Sequence, residues 1–131
     1  MTAVLPEAAR RLLDAPEFAV LATGERHQCV MWAGREGDEL FMVTKDFRRQ
    51  ARDIASDPRV SVLLYQRDRP QHYARIEGSA RIETEGAAAL MDRLALAYTG
   101  APHVVTDPAQ EASRVVIRVT PDRVAVYGSP R

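Results

Sequence analysis

The sequence predicts a mainly β chain, β plus α, arranged as a small antiparallel barrel with short helices at its ends or flank. Three observations lead there. Seven short segments are continuously apolar or alternate apolar with polar, as strands do. Most are joined by connections too short for parallel crossovers. Only three stretches carry a helical stripe.

Residues 6–14, "PEAARRLLD", read as a helix with Pro6 at its first position and Ala9, Leu12 and Leu13 on one face. Pro16 ends it. Strands follow at 17–23, 28–34 and 39–44, separated by the turns "GERH" and "REGD". Their short links predict an antiparallel meander.

A basic helix comes next. Asp46 is placed to cap it near Phe47, and Phe47, Ala51, Ile54 and Ala55 form its apolar stripe. "DPR" stops it. Strands at 60–66 and 72–83 are joined by "RDRP". The second alternates well, and Gly78 inside it marks a bulge or bend. The third helix spans 84–100, with Thr84 as cap, Gly100 past its end and Leu90, Leu94 and Ala97 as its stripe. "RVVIRVT" and "RVAVYG", parted by "PD", close the chain as a hairpin or bent pair.

The 131 residues suggest one domain, 1–131, and a chain this short gains core by pairing. Lys and Arg number 18, as do Asp and Glu, so the net charge is zero and nothing favours nucleic acid as a partner. Cys29 is the only cysteine, which excludes an intramolecular disulfide and fits a reducing compartment. Its apolar neighbours Val30 and Met31 read as a buried, inert thiol. One Cys and three scattered His offer no metal cluster. The N-terminus lacks a basic region before an apolar run, and no apolar run is long enough to span a membrane, so a cytoplasmic location is expected.

Lys45, Arg48, Arg49 and Arg52 crowd the point where the third strand meets the helix. Two readings stand. The free N–H groups of the first helical turn, the helix dipole and these cations make an anion site. Alternatively, the helix simply shows its charges to water. Trp32, Tyr65 and Tyr73 likewise read either as core or as walls for a planar ligand. The three His sit in no catalytic motif, and no glycine-rich phosphate loop is present.

The order of these pieces resembles the split-barrel flavin-binding proteins related to pyridoxamine 5'-phosphate oxidase. The resemblance runs from about residue 7 to 126, and "DPRVSVLL" and "RVVIRVTPDRV" are its most specific parts. Its nearest likeness is to the short actinobacterial branch that uses the deazaflavin coenzyme F420. The resemblance implies a split antiparallel β-barrel of the FMN-binding type with short flanking helices. It implies a homodimer with each cofactor at the subunit interface. F420 is the cofactor it favours, with FMN as the alternative. Thr44, Arg48 and Arg49 match the family's phosphate-binding positions, while the usual Lys falls on Gln50, which has no charge. Lys45 and Arg52 are further candidates beside them. By the same resemblance Met31 and Trp32 line the isoalloxazine, and Tyr65 and Gln66 contribute from a neighbouring strand or subunit.

The function implied is an oxidoreductase that transfers a hydride to a small conjugated or heteroaromatic substrate. The cofactor carries that chemistry, so no nucleophile is required and no proton donor is singled out. The alternative is a non-catalytic carrier or sensor of the same fold that holds flavin, F420 or haem. A homologue without cofactor is the third reading.

Overall fold

A computed structural model describes residues 2–129. α1 (Glu7–Asp14) precedes β1 (Phe18–Thr23), β2 (His27–Trp32), β3 (Gly34–Glu36) and β4 (Glu39–Lys45). Then come α2 (Arg49–Ser56), β5 (Arg59–Gln66), β6 (Arg69–Glu83), α3 (Ala87–Thr99), α4 (Pro108–Glu111) and β7 (Arg114–Tyr127).

The strands form one antiparallel sheet in the order β2-β1-β5-β6-β7-β4-β3. The short early links do not produce a simple meander. β1 and β2 form a hairpin at one edge, and β3 and β4 form another at the opposite edge. A short connection fixes antiparallel direction, not adjacency. Only Ala33 separates β2 from β3, so the two edges of the sheet meet at this point. The sheet curls until β2 and β4 approach, which makes the split barrel.

β6 and β7 are the long central pair, and their register slips at Glu77 and Gly78. A Cβ on Gly78 would sit 2.3 Å from the Thr120 carbonyl oxygen, so only glycine permits this crossing. The final segment is therefore one bent strand, β7, not a hairpin.

Inward residues alternate along each strand, as the pleat requires. Ala19, Leu21, Leu40, Met42, Val62, Leu64, Ile76 and Ile117 fill the barrel. α1 inserts Ala9, Leu12 and Leu13 into that core, as its stripe predicted. A second core lies outside the barrel wall. There α3 presses Ala87, Leu90 and Leu94 onto Phe41 and Val116, while Ala97 stays exposed.

Two caps differ from the sequence reading. α2 starts at Arg49, with Arg48 as N-cap and no side-chain cap. Asp46 lies before it and gives its backbone N–H to the Ser113 carbonyl. The α2 stripe reduces to Ala51 and Ile54, because Phe47 precedes the helix and Ala55 is exposed. α3 is entered through Gly86 at φ 78° rather than through Thr84, which follows directly on β6. Among the described residues no helix is long and apolar enough to cross a membrane.

Candidate functional site

β4 delivers Thr44 and Lys45 to opposite faces of the wall, because successive strand residues alternate. Thr44 faces inward, 7% exposed. Lys45 lies on the outer face, two residues from Val43, and its Nζ donates to Gln110 Oε1 at 2.7 Å. Arg48 and the first turn of α2 follow immediately. That turn contains no acidic residue and no side-chain cap. Its N-terminal N–H groups and dipole therefore add to the positive field of the cations, with no carboxylate in the turn itself.

The cations are not equivalent. Arg49 Nε donates to Asp53 Oδ1 at 3.2 Å, and Asp53 Oδ2 also accepts the Thr23 hydroxyl at 3.0 Å. Burial pushes the Asp53 carboxyl up, but the Thr23 and Arg49 hydrogen bonds outweigh it and hold it below the ordinary aspartate value. The Arg48 guanidinium lies over the Phe47 ring at 5.3 Å. Among the described residues, neither Arg48 nor Arg52 has a side-chain acceptor.

Gln50 does not point at the anion region. Its Nε2 lies 3.4 Å from Cys29 Sγ and 3.6 Å from Met31 Sδ. This contact fastens α2 along the inner side of β2. Cys29 is half-buried rather than fully buried; burial pushes its thiol up, and the Gln50 hydrogen bond partly offsets this.

Met31 and Trp32 turn to opposite faces. Met31 packs toward the barrel core. Trp32 lies on the outer side, its ring stacked on Tyr98 at 5.1 Å and 11°. The Tyr98 hydroxyl bridges to the Ala33 backbone N–H at 3.1 Å and the Glu17 carbonyl, so it is fully engaged. Beside Trp32 a hollow of about 200 Å³ is bordered by Val30, Met31, Val43, Met91 and Leu94. Lys45 shares the outer face of β4 with Val43, which borders this hollow, but does not itself border it.

Tyr65 and Gln66 stand apart, at the end of β5. Register carries Trp32 to Phe18, and Ala19 to Leu64, so Tyr65 is level with Trp32 but two strands away. Tyr65 borders an apolar outer patch with Leu63, Pro70 and Tyr73. Gln66 borders a different hollow, beneath α1. Within one chain, then, the structure groups Met31, Trp32, Thr44, Lys45, Arg48, Arg49, Gln50 and Arg52 around β2, β4 and α2. It does not bring Tyr65 and Gln66 to them.

Sequence reasoning missed Tyr98, Met91 and Val43 as walls and Gln110 as the holder of Lys45. Tyr98 stands four residues after Leu94, on the helical stripe already visible, so that signal was present. Gln110 carried none. His27 starts β2 rather than lying in a turn. Among the described residues no group of three or more His, Cys, Asp or Glu is placed to hold a metal.

The sequence profile of the pyridoxamine 5'-phosphate oxidase family matches residues 5–128. No curated protein sequence matches the chain. Among solved structures, an F420 reductase superposes with a TM-score of 0.80 at 27% identity, covering 92% of this chain and 98% of that one. A conserved hypothetical protein from Mycobacterium tuberculosis gives 0.74 at 27% identity, over 95% and 85% of the two chains. General Stress Protein 26 from Bacillus anthracis gives 0.71 at 23% identity over 92% of each, a likeness of fold alone.

Proposed function

The chain belongs to the pyridoxamine 5'-phosphate oxidase family, and from that premise we propose that it is an F420-dependent oxidoreductase acting as a homodimer on a small conjugated or heteroaromatic substrate. The observation that carries this is the uncapped start of α2, free of acidic residues and flanked by Lys45, Arg48 and Arg52. Such a donor set fits a phosphate or the acidic tail of the cofactor. The similarity to an F420 reductase favours F420 over FMN.

Bound deazaflavin would supply the hydride, and the chain's residues bind, orient and exclude water. Trp32, braced from behind by Tyr98, offers a rigid aromatic wall. A hollow of about 200 Å³ holds only part of a tricyclic ring, so a second wall must come from elsewhere. The partner's copy of Tyr65 and Gln66 supplies it in this reading, which is why the dimer belongs to the proposal.

A binding-only role draws on one observation: no titratable side chain borders the hollow beside Trp32. Parallel titrations with F420 and FMN, read by Trp32 emission, test the cofactor. Quenching with tighter F420 binding supports the proposal; unchanged emission at saturation returns Trp32 to a packing role. Turnover with reduced F420 then separates enzyme from carrier. Sedimentation at micromolar concentration tests assembly, and a monomer with cofactor bound would defeat the shared site.

A further inference from the structure

A larger hollow, about 470 Å³, lies beneath α1 where β5 turns into β6. His72 borders it and is 2% exposed. Its Nδ1 is 3.0 Å from the Tyr127 carbonyl oxygen. A carbonyl only accepts, so Nδ1 carries a proton and, in the neutral ring, Nε2 holds a lone pair. No described residue donates to that lone pair. Among the described residues, no side-chain N or O shut off from solvent lacks a partner. Nε2 therefore reaches open space, and the space His72 borders is the hollow.

The rest of the lining defines what fits. Leu12 and Ala8 provide an apolar side. Glu7 is paired with Arg11 at 3.0 Å. Glu17 accepts the Arg67 backbone N–H at 2.5 Å. Each charge is thus answered within the chain, and a charged ligand would lose its hydration without gaining a free counter-ion. An unanswered acceptor beside Leu12 and Ala8, with the neighbouring charges already paired, selects an uncharged molecule with an O–H donor and an apolar body. We propose that this hollow is a second ligand site, taking a small neutral hydroxyl compound with an apolar body, whose hydroxyl donates to His72 Nε2; 2-naphthol serves as its probe. Its volume lies within the usual range for small-molecule pockets. Of the residues assigned to the cofactor only Gln66 borders it, and the inference does not rest on the cofactor reading.

The test uses the full chain with ¹⁵N-labelled histidine, titrated with 2-naphthol and with 2-methoxynaphthalene, which keeps the ring and lacks the donor. 2-Naphthol is expected to saturate and to move the His72 Nε2 resonance while leaving His27 and His103 in place. The methoxy compound should bind about three- to tenfold more weakly, the worth of one neutral hydrogen bond. His72→Asn keeps an N–H for Tyr127 and removes Nε2, its own amide oxygen lying nearer the backbone and short of the Nε2 position, so it should erase that difference. Ala8→Phe fills the hollow from a partly buried helix position and should abolish binding. Equal affinity for the two compounds, an unmoved His72 signal or full binding by Ala8→Phe overturns the proposal. Displacement of 2-naphthol by F420 would make the hollow part of the cofactor site and overturn its status as a second one.

Discussion

The side-chain amide of Gln50 lies 3.6 Å from the sulfur of Met31, tying the first turn of α2 to β2. At this position the family's usual residue would be a cation, and here a neutral amide rests on two sulfurs. Gln50→Lys should strengthen F420 binding at low salt and lose that gain at high salt, because exposed charge is screened over about 10 Å at 0.1 M. The new ammonium must turn away from Cys29 and Met31 to reach water, so the melting temperature should fall. A salt-independent affinity would show that position 50 does not see the cofactor's charge.

Arg48 and Arg49 are adjacent in sequence but should differ in weight. Arg49 is already held by Asp53, whereas Arg48 has no acceptor among the described residues. Arg48→Ala should weaken F420 binding about tenfold to a hundredfold, the worth of a charge-assisted hydrogen bond. Arg49→Ala should cost less. Both side chains are exposed, so unfolding free energy should change by no more than about 0.5 kcal/mol. Calorimetric titration beside urea melts checks this, and two variants that bind like the parent would move the anion site elsewhere.

Tyr98→Phe keeps the stack on Trp32 but removes the hydroxyl shared by Glu17 and Ala33. The Ala33 N–H then loses its acceptor, which should cost roughly 1–3 kcal/mol in urea denaturation. A change below about 0.5 kcal/mol would mean that water replaces the hydroxyl without penalty.

Gly78→Ala places a methyl against the Thr120 carbonyl, at a point where backbone rather than a flexible side chain must yield. A loss of about 1–3 kcal/mol or more is expected from such overpacking. An unchanged denaturation midpoint would contradict the tight crossing of β6 and β7.

Glu39 accepts Arg81 through both oxygens, at 2.9 and 3.0 Å, and the Thr120 hydroxyl at 2.8 Å. Arg81 above all holds its carboxyl down at about 2, below the ordinary glutamate value of 4.5. A carboxyl depressed in the folded state stabilises the protein above its unfolded value and stops doing so as pH falls through the folded one. Stability should therefore drop between pH 4.5 and 2, and Glu39→Gln should flatten that decline. Equal slopes in urea midpoints across this window would remove Glu39 as a cause.

Most of the elements follow from patterns local to the sequence. Leu12 and Leu13 on α1, the alternation of β6 and the glycine at position 78 each carry a periodic or steric signal that acts over a few residues. The cluster at Thr44 to Arg52 was legible for the same reason, because one turn joins its members. Which strands become neighbours depends on the whole sheet, since Ala33, the one residue between β2 and β3, carries no local signal for the edge that each joins. The same holds for Gln50 facing sulfur, Arg49 being taken by Asp53, and Tyr65 lying level with Trp32 two strands away. These relationships depend on how the sheet curls and where α2 and α3 settle. Long-range packing sets both, through contacts that no local pattern encodes.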